Sequence, residues 1–82
     1  MLGKLTYAVL HKLLTSLGFN PKPVRRSWQA YHHRASDALI LLRKRRPTAN
    51  VSEPDILSIR RHLVEKGLID ENEFDQLLSE AA

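Results

Sequence analysis

Residues 28–44 read WQAYHHRASDALILLRK, and the way this stretch alternates decides what kind of fold the chain adopts. Successive side chains of an extended strand point to opposite faces. Trp28, Ala30 and His32 therefore fall on one side, and Gln29, Tyr31 and His33 on the other. The following ASDA supplies turn-forming residues, and LILLRK over 39–44 is a continuous apolar run ending in cations. The run is too short for a helix and fits a central strand buried on both faces. Upstream, FNPKPVRRS over 19–27 contains Pro21 and Pro23, which forbid helix and lack the N–H that a ladder needs. That suits an edge strand or its approach, with pairing beginning at Val24 and Arg25. Three such strands joined by short turns make an antiparallel meander.

Helical patterns flank the meander. Thr6 is an N-cap residue, and Tyr7, Leu10, Leu14 and Leu17 recur at helical spacing, with Leu13 widening the stripe. Gly18 stops this helix, Phe19 staples its end to the core, and Lys4, His11, Lys12 and Thr15 lie toward solvent. A second helix starts at Ser52, with Asp55 at the capping-box position and Pro54 in the first turn. Its stripe is Ile56, Ile59, Leu63 and Val64, and Gly67 ends it. Asp70 and Glu73 open a short third helix over 70–80, with a narrow stripe of Phe74, Leu77 and Leu78 and an end expected to fray. The order predicts an α+β fold. It has two layers, a three-stranded antiparallel sheet with two helices on one face (αβββα), plus a short C-terminal helix. The 82 residues are expected to form a single domain.

Charge is distributed unevenly. Residues 1–52 hold ten Lys/Arg and one acid, Asp37, whereas residues 53–82 hold three bases and eight acids. A basic body with an acidic end points to a polyanion-facing surface in the first part. The chain has no cysteine, which excludes disulfides and thiolate metal sites and fits a cytoplasmic location. No segment approaches the roughly 20 apolar residues of a membrane span. Lys12 interrupts the apolar start of the chain, so neither a signal peptide nor a membrane partner is expected.

The order of elements, Gly18-Phe19 after the first helix, Ser27 at a turn, the Tyr31-x-His33 pair and ILSIRRHL in the capped second helix together resemble the HicA toxin family. These are small ribonuclease toxins of bacterial toxin–antitoxin modules whose fold is similar to a double-stranded-RNA-binding domain. The resemblance covers about residues 5–67 and leaves the last helix as an addition. It implies an RNA substrate, no cofactor, and a HicB-like antitoxin protein that masks the basic face. The family motif is Gly-Ser-His, then an aromatic three residues after the His and a second His two later. Arg26, Ser27 and Trp28 stand at the first three positions, and Tyr31 and His33 at the last two. The serine and the final pair match, but the glycine and the motif's catalytic histidine are absent. Three readings stay open: cleavage using another imidazole, RNA binding without cleavage, or docking of an acidic protein partner.

Imidazole titrates near neutral pH and can act as general base or acid when a 2′-hydroxyl attacks the adjacent phosphate. His32 and His33 are neighbours on a strand, so they point to opposite faces and cannot both reach one phosphate. His33, at the family position, is the candidate catalytic residue. Arg25, Arg26, Ser27, Trp28, Arg34, Arg43, Lys44, Arg45 and Arg46 are the candidate RNA-binding residues. Guanidinium forks match phosphate oxygens, duplex RNA is read mainly through its backbone, and an indole can stack on an unpaired base. The plainer alternatives are a solvated charge run and a tryptophan covering the sheet. His11 and His62 sit singly on helices, and no residues show metal-ligand spacing. Arg60 and Arg61 read as surface, with Arg61 four residues before Glu65.

Overall fold

A computed structural model describes residues 5–81, so the expected exposure of Lys4 lies outside the described residues; the last helix, expected to fray at its end, is helical through Ala81. The elements run α1 (Tyr7–Ser16), β1 (Phe19–Arg25), β2 (Trp28–His33), β3 (Ala38–Arg43), α2 (Glu53–Glu65) and α3 (Glu71–Ala81). The sheet is antiparallel in the order β1-β2-β3. This is the α+β meander that the alternation predicts, with helices before and after it.

Local chemistry sets the element ends. Thr6 Oγ1 accepts from the Val9 N–H, Ser52 Oγ from Asp55 N–H, and Asp70 Oδ1 from Glu73 N–H. Each removes one orphan donor of a helix start. Gly18 and Gly67 follow α1 and α2 at φ +101° and +70°, conformations that side chains resist. The other early donors of α1 are satisfied from afar. After β3 the chain runs back beside α1, so Tyr7 N–H donates to Ala49 O and Ala8 N–H to Pro47 O, both at 3.0 Å.

Two strand expectations change. β1 starts at Phe19 rather than Val24 and carries both prolines within it. N–H direction alternates along a strand, so Pro21 and Pro23 place their missing donors on one side. The pairing with β2 continues through both, which puts that side at the outer edge. β3 is not a central strand buried on both faces. It lies at the sheet's other edge, and its residues alternate buried and exposed, with Leu39 and Leu41 each 53% exposed. The helices cover one face of the sheet only, so an unbroken apolar run places half its side chains in the open.

The covered face carries the core. Phe19, Tyr31, Ala38, Ile40 and Leu42 of the sheet meet Leu10 and Leu14 of α1 and Ile56, Ile59 and Leu63 of α2. α3 belongs to the same core: Phe74 is fully buried, and Leu78 lies beside it. Arg60, read as a surface residue, ties α3 to α2 through Asp75 at 2.9 Å and Glu71 at 3.5 Å. Arg61 pairs with Glu65 at 3.0 Å, as its spacing suggests. Among the described residues no helix is long and apolar enough to cross a membrane.

Candidate nucleic-acid interface

The meander brings most of the candidate residues to one end of the sheet. Arg25 pairs with Trp28 across the first hairpin, and Trp28 pairs with Arg43 on β3. The Lys44 N–H donates to Ser27 O at 2.8 Å, which fastens the segment leaving β3 to the hairpin turn. Arg25, Arg26, Arg43, Lys44, Arg45 and Arg46 thus share this end, together with Ser27 and Trp28. All are exposed. The register slips between Pro23 and Arg25, making Val24 a bulge residue beside the turn. Arg26 and Ser27 lack the positive φ that a primed two-residue turn requires. The bulge supplies the extra local twist and re-aims Arg25.

None of these six cations has a carboxylate within ion-pair distance among the described residues; the ion pairs there belong to His32, Arg60 and Arg61. The acids cluster instead along α2 and α3. The guanidinium of Arg43 lies 5.1 Å from the centroid of the Trp28 ring, a cation–π contact worth about 0.5–1 kcal/mol at an exposed site. The indole therefore covers the open sheet face and orients one cation of the cluster.

Arg34 stands apart. It follows β2 in the Arg34–Asp37 turn, at the opposite end of a six-residue strand, about 17 Å away at the usual rise per residue. His32 and His33 diverge as neighbouring strand residues do. On the open face, His32 Nε2 lies 2.9 Å from Asp37 Oδ1. That hydrogen bond, with the electrostatic pull of His32, holds the Asp37 carboxyl below its usual range.

His33 is occupied locally. The Ser36 backbone N–H donates to its Nδ1 at 3.2 Å, and the Ser36 hydroxyl lies 2.7 Å from the same nitrogen. A backbone N–H only donates, so Nδ1 accepts and the neutral ring carries its proton on Nε2. The ring packs 5.2 Å from the Phe19 ring centroid and borders Gly18, on the helix-covered side. It clamps the turn and the end of α1, one strand length from the cationic cluster.

Sequence reading missed His11 as part of a site. Its Nδ1 lies 2.9 Å from Tyr31 Oη, with the rings edge to face at 5.7 Å. Burial raises the Tyr31 phenol above its ordinary pKa, keeping it protonated. The pair lines a groove of about 500 Å³ between α1 and the segment leaving β3, which Lys12, Arg43, Lys44 and Arg45 also line. The spacing of Tyr7, His11 and Leu14 on one helix face was the available signal. No group of three or more His, Cys, Asp or Glu among the described residues could hold a metal ion. No family model matches this chain, and no curated protein or solved structure matches it closely enough to indicate kinship.

Proposed function

We propose that this chain is a HicA-like RNA-binding protein that grips the phosphodiester backbone with the hairpin end of its sheet. The observation that carries the reading is the gathering of Arg25, Arg26 and Arg43–Arg46 at one end, without a counter-charge among the described residues. Like charges held together repel, and a polyanion relieves that repulsion while releasing its own counterions. Binding without cleavage at the family motif is the better-supported form. Trp28 offers no titratable group where the family places its imidazole, and His33 is engaged by Ser36 away from the cations.

Induced expression in a bacterium tests this. Normal growth and intact messages, together with RNA binding by the purified protein, support the reading. Growth arrest with loss of messages, relieved by His33→Ala, would replace it with a ribonuclease.

A second feature favours a protein partner on the neighbouring surface. Leu39 and Leu41 are exposed on the same sheet face as Trp28, in register with His32 and Ala30. An antitoxin of HicB type would cover these leucines and meet the cations with acidic side chains. Co-purification with the product of an adjacent small open reading frame tests that pairing.

A further inference from the structure

We propose that the groove beside His11 and Tyr31 takes one unpaired nucleotide of the bound RNA strand, so that the protein prefers single-stranded RNA over duplex. The inference rests on the RNA-binding reading and adds a base-binding pocket to it. The groove's roughly 500 Å³ falls within the range of small-ligand sites. Tyr7, Ala8, Leu42 and Pro47 give it apolar walls, to which a flat base can pack. The His11 ring and the Gln29 amide also line it and can hydrogen-bond a base edge. Tyr31 Oη holds His11 Nδ1 at 2.9 Å, which sets the orientation of the imidazole.

The lining contains no carboxylate but includes Lys12, Arg43, Lys44 and Arg45. A flat apolar body joined to a phosphate satisfies both the walls and the cations. An ammonium ligand or a purely apolar one satisfies only part of the site. The pocket is also continuous with the backbone-gripping cluster, because Lys44 and Arg45 belong to both, while the Arg43 guanidinium turns to Trp28. A strand lying along the cations can therefore turn one base into the groove. A base held in a duplex stack cannot reach it.

The test uses a fluorescein-labelled octauridine and the same label on an RNA duplex, titrated with the full-length chain by anisotropy. Wild type should bind the single strand about ten-fold or more tightly than the duplex, the scale of one stacked base. His11→Ala and Gln29→Ala, both at positions outside the buried core, should each bring that ratio toward one. They remove no formal charge from the cluster, so the salt slope should stay at the wild-type value. A wild-type ratio near one, or variants that keep the wild-type ratio, would overturn the pocket while leaving the cationic grip intact. Failure of both RNAs to bind even at low salt would sink the RNA-binding reading itself, and the pocket with it.

Discussion

Replacing Arg45 and Arg46 together by alanine is the sharpest perturbation of the proposed grip. Both are exposed, follow β3, and have no ion pair among the described residues, so their removal leaves no buried carboxylate behind. Each phosphate neutralised on a single strand contributes about −0.7 to the slope of log affinity against log salt. Six engaged cations would give a slope of about −4, a loss of about 250-fold between 50 and 200 mM salt. Without Arg45 and Arg46 the slope should fall to about −2.8. Extrapolated from a 1 M reference, affinity at 0.1 M should drop about 25-fold. Anisotropy of a labelled oligouridine across a potassium chloride series reads both quantities. Arg61→Ala, which removes a cation already paired with Glu65, and Arg34→Ala, at the far end of the sheet, should each leave the slope near the wild-type value. An unchanged slope in the double variant would refute the reasoning. So would a drop in Arg34→Ala as large as that in the double variant.

Three further outcomes concern the scaffold. Phe74→Ala should cost about 3–5 kcal/mol in urea unfolding, a large share of a small domain's stability, because this fully buried ring anchors α3 in the common core. Leu77→Ala, 39% exposed on the same helix, should cost well under half of that; equal losses would remove α3 from the core. Gly18→Ala should cost about 1–3 kcal/mol, since its φ of +101° strains a side chain and its Cβ would meet the His33 ring at 3.3 Å. Gly67→Ala, at φ +70° with nothing within 4 Å, should cost only about 1 kcal/mol, and a reversed order in thermal melts would contradict this. Burial raises the Tyr31 pKa, so the folded state holds the phenol proton more tightly than the unfolded chain does. That contribution is intact below the ordinary phenol value of about 10 and disappears as pH climbs through the folded value. A spectrophotometric titration should show a late phenol ionisation that vanishes in Tyr31→Phe; its persistence there would assign the delay to another group.

The caps were legible in the sequence because capping is a local transaction. Thr6, Ser52 and Asp70 each hold the N–H three residues on, and no distant element is needed to infer it. The strands were legible in kind but not in surroundings. Two prolines argue against pairing in general, yet at alternate positions on an edge they cost no ladder bond, so β1 extends back to Phe19. The apolar run of β3 carries no information about how many faces the rest of the chain can cover. The pairing of Arg60 is hidden from the sequence for a related reason: its partners Glu71 and Asp75 lie on another helix, and only packing brings them near.

The cationic end follows from topology more than from any motif. In a meander, the first turn and the exit of the third strand must lie at the same end, and the second turn at the other. β2 and β3 are each six residues long, so the two lengths cancel and Arg43 arrives opposite Trp28. Arg25–Arg26 and Arg43–Arg46 are therefore forced together, and Arg34 is forced away by the same rule. His11 escapes this logic. A helix touches a sheet by its packing angle, which no strand count specifies, so its meeting with Tyr31 could not be counted out along the chain. A one-residue insertion within β2 would turn Trp28 toward the helices and break its register with Arg43, because side chains alternate with period two. The Ser27–Lys44 hydrogen bond makes that register part of the site: it fixes where the cations emerge relative to the turn. The cationic end thus depends on matched strand lengths as firmly as on the arginines they carry.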